Sequence, residues 1–245
     1  MGPGDTVLCH SSWEGLRFAF SSPQEVIDTL LEYLGPTGTL AMPAIPAVQI
    51  ANGVELNLDR AFSRAGIVSE MFRRSPGVVR SISLNHSVCA IGPNAGLLTS
   101  EHHLSTTSWD RFSPYRKIAD IQNAWVIGFG VGHRLRAATA LHCVESELID
   151  ERYFSKLFKE SVDYSYRSGD FGNGTATHLV RTGVNYAPKI AKYFSVTELK
   201  EFTDCGVDFY AIRAENLVNR AIELGRRGRT MYFWPIPWPW LFSSK

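Results

Sequence analysis

Three stretches follow one another in the first 43 residues: Thr6-Val7-Leu8-Cys9-His10, Ser22-Pro23-Gln24-Glu25 through Val26, Leu30, Leu31 and Leu34, and Thr39-Leu40-Ala41-Met42-Pro43. Their order decides the fold. The first is a short apolar run closed by the polar turn Ser11-Ser12, which reads as a buried strand. The second opens with Ser22 as N-cap, Pro23 at the first helical position and Glu25 as capping-box partner. Its apolar residues recur at helical spacing until Gly35-Pro36 stops the helix. The third is again strand-like, and strand–helix–strand is the pattern of a parallel sheet with helices packed on it.

Outward from that unit, Ile67 to Arg74 reads as a short helix, Val88 to Ile91 and Ala124 to Phe129 as buried strands, and Thr139 to Leu148 as a helix. Ser195-Val196-Thr197-Glu198 is expected to open another capped helix, and Ala214 to Leu224 a further one. Residues 44–63 show no period. Residues 151–185 mix aromatic, charged and Gly-rich segments such as Ser168-Gly169-Asp170-Phe171-Gly172, as an antiparallel elaboration would. The expected architecture is α/β: a three-layer α/β/α domain with a mostly parallel central sheet and an elaborated, partly antiparallel second half. The texture changes near residue 150, dividing a single domain 1–245 into halves 1–150 and 151–245.

Composition narrows the class. The chain has 245 residues, 44% hydrophobic and 20% charged, within the range of ordinary globular proteins. A formal net charge of +1 argues against bulk attraction to nucleic acid or acidic membranes. Cys9, Cys89, Cys143 and Cys205 form no Cys-x-x-Cys pair, so neither a zinc ribbon nor a thioredoxin-like site is expected. No basic-then-apolar leader is seen and no run approaches about 18 apolar residues, so a cytoplasmic location is expected. Arg226-Arg227-Gly228-Arg229, followed by Met231-Tyr232-Phe233-Trp234 and on to Phe242, has the residues of an interfacial anchor. Its prolines block a regular helix, and the favoured expectation is an extended tail packed on its own domain or on a dimer mate, without stable membrane insertion.

Several constellations could carry chemistry. His142 and Glu145 lie three apart in a helical segment and can share one face. A carboxylate beside an imidazole fixes its tautomer and stabilises the imidazolium, which makes a general base. Ser11-Ser12 follows the first strand, where α/β proteins place ligands. Arg80-Ser81 ends an apolar run, and such an Arg either clamps a phosphate or makes a structural ion pair. His86 lies just beyond, and Ser113-Pro114 reads first as a turn or helix start. Cys143 adjoins His142 but points about 100° away on a helix, and Cys9 and His10 face opposite sides of a strand, so neither pair is a dyad. No His-Glu-x-x-His spacing supports a zinc site.

Taken in order, these pieces form a longer pattern. Gly4-Asp5-Thr6-Val7-Leu8-Cys9-His10-Ser11-Ser12 is followed by Leu34-Gly35-Pro36-Thr37-Gly38-Thr39-Leu40-Ala41-Met42-Pro43. Then come Val79-Arg80-Ser81, His86-Ser87-Val88-Cys89-Ala90-Ile91-Gly92, Ser113-Pro114 and Thr139-Ala140-Leu141-His142-Cys143-Val144-Glu145. The string resembles the aminoglycoside 3-N-acetyltransferase family over about residues 4–148. The resemblance implies transfer of acetyl from acetyl-CoA to an amine on a sugar-like acceptor, with no metal. It implies that His142 and Glu145 are catalytic and that Ser11, Ser12, Arg80, Ser81 and Ser113 lie around the coenzyme. The alternative is a non-catalytic CoA-binding or assembly homologue.

Two departures from the family pattern bear on the acceptor. Ser83-Leu84 stands where the family carries His-Pro. The segment after Asp150 has an excess of basic residues, with Arg152, Lys156, Lys159, Arg167 and Arg181 among them. A polycationic aminoglycoside favours an acidic pocket, whereas a nucleotide-linked amino sugar favours Arg and Lys. The sequence therefore points to an acceptor of the second kind.

Overall fold

The computed structural model describes residues 1–151, 153–183 and 185–232, with Lys159 placed in backbone only. Arg152, the Lys159 side chain and the tail residues 233–245 of the sequence reading lie outside it. Ten strands are found among the described residues: β1 (Thr6–Ser11), β2 (Thr39–Pro43), β3 (Val54–Asn57), β4 (Val79–Arg80), β5 (Val88–Ile91), β6 (Ala124–Phe129), β7 (Phe158–Ser168), β8 (Gly172–Arg181), β9 (Lys200–Asp204) and β10 (Val207–Arg213). The main sheet runs β4-β5-β2-β1-β6-β10-β9. The expected parallel unit sits at its centre, with β1 paired in parallel to β2 on one side and to β6 on the other. Antiparallel pairs extend it at both edges.

Both faces of this sheet are covered, as a strand with continuous apolar sequence requires. Side chains alternate across the sheet, so Val7 and Cys9 enter one core while Leu8 enters the other. Helices Pro23–Leu34 and Ile67–Arg74 pack on the first face through Val26, Ile27, Leu30, Val68 and Phe72. Helix Ala214–Arg226 packs on the second, together with short helices at Ala95–Thr99, Pro114–Lys117 and Cys143–Glu147. Ser22 caps the helix, its hydroxyl accepting from Glu25 N–H at 3.2 Å, but the Glu25 carboxylate accepts from Ser21 N–H at 2.6 Å where the capping box expected Ser22.

Three elements differ from the sequence reading. The stretch 44–63 contains β3, which pairs with β7 and joins β8 in a three-stranded second sheet. This sheet closes over its own core of Leu56, Leu58, Ile82, Leu84, Val162, Tyr164 and Tyr166. Residue 150 is thus not a boundary in space, because β3 reaches into the second sheet while β9, β10 and the last long helix return to the main one. Ser195–Glu198 forms its capping box, with Ser195 N–H donating to Glu198 Oε2 at 2.8 Å and Glu198 N–H to Ser195 Oγ at 3.3 Å. No helix follows, because the chain enters β9 at Lys200 and turns at Asp204-Cys205-Gly206 into β10. Cys205 and Gly206 both hold positive φ there, as a tight hairpin demands. Among the described residues no helix is long and apolar enough to cross a membrane.

Candidate active site

The site lies beyond the carboxyl ends of the central parallel strands. β1 ends at Ser11 beside Phe129, the last residue of β6. Within β6, Gly128 lies under the Tyr210 ring, and a Cβ there would come within 2.0 Å of it. The close approach lets Tyr210 reach past the sheet and donate its hydroxyl to Arg136 O at 2.9 Å, pinning the loop that follows β6. That loop delivers the chain to Thr139, where the buried His10 Nε2 accepts from Thr139 N–H at 3.1 Å. Burial pulls the His10 pKa down to about 4, so the ring is neutral and able to accept that bond.

Thr139–His142 is a 3₁₀ turn and Cys143–Glu147 the α-helix that continues it. The expected single helix is therefore split, but i and i+3 still fall on one side. His142 Nδ1 donates to Glu145 Oε1 at 2.5 Å. Glu145 is fully buried and His142 is 8% exposed. A carboxylate with no access to water keeps its charge only where donors surround it. Here the Tyr232 hydroxyl also donates to Oε1, and Arg181 Nε lies 3.6 Å from Oε2. Arg181 further donates to the Tyr232 oxygen at 2.8 Å.

The His142 imidazole is held from its face as well. The Trp109 ring lies over it, centroids 4.8 Å apart and planes 30° from parallel. His86 packs 4.7 Å from Trp109 and 6.4 Å from His142. Burial, with His142 and Arg181 nearby, drives the His86 pKa well below its ordinary value, so this ring adds no charge to the site. The loop carrying Trp109 is tied to helix Cys143–Glu147 by Thr107 Oγ1 to Ser146 Oγ at 2.5 Å, and to β8 by Leu179 N–H to Thr106 O at 2.7 Å.

The residues expected around the coenzyme separate into two groups. Ser11 Oγ is buried without a partner, and Ser12 precedes helix Trp13–Leu16 without capping it. Gly15 packs on Gly130 so tightly that a Cβ would lie 2.0 Å from its carbonyl oxygen, which fixes this turn against the end of β6. Arg80, Ser81 and Ser113 instead make hydrogen bonds within the framework of the fold. The Arg80 guanidinium is buried and donates to Leu58 O at 2.9 Å, Ala61 O at 2.5 Å, Ala44 O at 2.6 Å and Ser87 Oγ at 3.3 Å. Four of its five N–H groups are thus engaged within the fold, and the carbonyls it holds belong to the stretch 44–63 that carries β3. Ser81 Oγ accepts from Val88 N–H and donates to His102 Nδ1, both at 2.8 Å. Ser113 caps helix Pro114–Lys117 by accepting from Arg116 N–H at 3.2 Å.

Ser83, at the position where the family His-Pro begins, shares a 2.9 Å hydrogen bond with Ser108 and accepts from His86 N–H at 3.2 Å. Leu84 enters the core of the second sheet. Cys143 is buried and its thiol is pushed far up by desolvation, as inert as its direction on the helix implied. Among the described residues no three His, Cys, Asp or Glu side chains gather as metal ligands. Sequence reasoning gave no role to Trp109, and it met Arg181 and Tyr232 only as part of a basic excess and an aromatic tail. No motif links them to Glu145, from which Tyr232 is separated by 87 residues.

Comparison with known proteins meets this geometry. The family model for aminoglycoside 3-N-acetyltransferase matches residues 8–224. Aminoglycoside N(3)-acetyltransferase IV of a Salmonella species is 33% identical over 147 residues, 58% of this chain and 52% of its own length. Aminoglycoside N(3)-acetyltransferase VIII of Streptomyces fradiae is 30% identical over 165 residues, 60% and 56% respectively. The chain thus spans about half the length of the curated relatives it matches. Among solved structures, a histidine-to-alanine variant of the aminoglycoside acetyltransferase AAC(3)-IVa with gentamicin superposes at a TM-score of 0.74, 24% identity, over 96% of this chain and 86% of that one. AAC-IIIb with CoASH superposes at 0.72, 17% identity, over 96% and 94%. These likenesses establish a shared fold, and the match over residues 8–224 places the chain in the aminoglycoside 3-N-acetyltransferase family.

Proposed function

We propose that the protein is an acetyl-CoA-dependent N-acetyltransferase acting on an amino group of an amino sugar, with His142 as general base. The observation that carries this reading is the 2.5 Å bond from His142 Nδ1 to the fully buried Glu145 carboxylate. With Nδ1–H given to Glu145, Nε2 is the proton acceptor. It takes the proton shed by the neutral acceptor amine as its nitrogen attacks the thioester carbonyl. The C–N bond forms, the C–S bond breaks, and the departing thiolate recovers its proton from the imidazolium. Such base catalysis is worth about 10²–10⁴-fold. The thiolate leaves readily, so attack is direct and no enzyme-bound acyl group is required. Ser11 and Ser12 are the residues we assign to the coenzyme, because the buried, unpartnered Ser11 hydroxyl stands at the end of β1.

The family membership supports an amino-sugar acceptor, and relatives of this chain are named for aminoglycosides. A second reading, a nucleotide-linked amino sugar, is favoured by the cation Arg181 beside Glu145. Thiol release from acetyl-CoA over a panel of amines tests both readings. His142→Ala abolishes turnover while CoA binding persists. Faster turnover of tobramycin or gentamicin than of any nucleotide amino sugar removes the second reading. CoA binding without turnover of any amine would leave the non-catalytic alternative.

A further inference from the structure

We propose that Tyr232 and Arg181 are positioning residues that set the basicity of His142 by sharing the Glu145 carboxylate with it. The inference rests on the general-base reading of His142, and extends it to two residues that lie far away in the chain.

The geometry is specific. Glu145 Oε1 accepts from two donors at once, His142 Nδ1–H and the Tyr232 hydroxyl, and Arg181 approaches Oε2 while also donating to the Tyr232 oxygen. A carboxylate that already holds a phenol and faces a guanidinium has less negative charge to offer an imidazolium. Each therefore favours the neutral His142 ring, the form able to accept a proton. The phenol remains a donor throughout, since burial and the adjacent carboxylate push the Tyr232 pKa far up. Its location is well fixed: Tyr186 N–H donates to Met231 O at 2.7 Å, the Lys189 ammonium donates to Tyr232 O, and Tyr232 bridges to Asn185. Arg181 is fixed by Tyr232 and by the Trp109 ring 5.6 Å away.

The charged and titratable groups around His142 come from each packed element. Glu145 lies on its own helix, Arg181 on β8, Tyr232 after the last helix, and His86 before β5, with His178 and His102 behind His86. Those three histidines are pulled down by burial and stay neutral, so Arg181 is the cation that acts on the pair.

The test is the titration of His142 in the full-length protein, followed by NMR of its ring C–H against a His142→Gln control for assignment. Tyr232→Phe keeps the ring and removes the donor, and the titration is expected to move to higher pH than in the parent protein. Arg181→Met is expected to raise it as well, and Arg181→Lys to restore it in part. In acetyl transfer, the acid limb of kcat/KM moves up by the same amount while the rate above that limb stays within about threefold. A folded Tyr232→Phe protein with an unmoved His142 titration overturns the proposal, as does a rate lost equally at every pH. The titration does not depend on turnover. A shifted pKa in a protein that acetylates no amine would therefore refute the general-base reading and leave the electrostatic arrangement standing.

Discussion

Replacing Arg80 by Ala separates a framework role from a coenzyme role, and the structure sets the size of the effect. The guanidinium makes three bonds to main-chain carbonyls, of Leu58, Ala61 and Ala44. Charge-assisted bonds of this kind contribute about 1.5–3 kcal/mol each. Against them stands the cost of taking the cation out of water. Burial pulls the Arg80 pKa down to about 10, equivalent to about 3 kcal/mol. The net contribution is about 3 kcal/mol, and truncation also leaves carbonyl oxygens without donors in a buried site. For a chain of this length that lowers Tm by about 6–12 °C. Arg80→Ala should therefore unfold earlier in a thermal scan followed by circular dichroism. Its KM for acetyl-CoA, measured well below the new Tm, should stay within about twofold. An unchanged Tm with a tenfold or greater rise in KM would mean that the guanidinium serves a phosphate, and the framework argument would be wrong.

Two further perturbations read the interior. Burial holds His10 and His178 at pKa values of about 4, His102 at about 3 and His86 well below its ordinary value, against 6.5 in the unfolded chain. Between those values the unfolded chain binds protons that the folded one does not, so stability is fullest above pH 6.5 and is lost as pH falls toward 4 and then 3. Urea midpoints should fall steadily from pH 7 to pH 5, with about three to four protons taken up on unfolding near pH 5.5; a flat midpoint across that range would contradict the buried neutral rings. Cys9, Cys89 and Cys143 are buried, with Cys9 and Cys89 pushed up to about 12, while Cys205 is exposed at the β9–β10 turn. A chromogenic disulfide should thus modify one thiol in the folded protein and four after denaturation, and acetyl transfer should survive the first modification.

Legibility in the sequence followed the range of the physics involved. β1, β2, β6 and helix Pro23–Leu34 were visible because apolar runs, a capping box and a Gly-Pro stop act over a few residues. Ser195–Glu198 shows the limit of such local reasoning. Its capping box forms, yet a box satisfies only its own N–H groups and cannot oblige the next residues to stay helical. Lys200 to Asp204 instead pair with β10, whose alternation Val207-Asp208-Phe209-Tyr210 places Val207 and Tyr210 in the cores. β3 escaped because its four residues gain their stability from β7, more than a hundred positions later.

The same distinction runs through the site. His142 and Glu145 were legible because both members of the pair lie within one helical turn. The role of Arg80 was not, because an Arg ending an apolar run can bind a phosphate or bridge a loop, and only the positions of three distant carbonyls decide between them. Tyr232 and Arg181 were least legible of all. A carboxylate buried as completely as Glu145 must recruit more donors than its own helix provides, so the motif alone implied that further partners existed without naming them. They are supplied by a strand of the second sheet and by the segment after the last helix, the parts of the chain where the sequence carries no familiar pattern. The His–Glu pair read from residues 142 and 145 is therefore completed by residues 181 and 232, and the short motif is stable in its buried position because the less patterned half of the chain folds back over it.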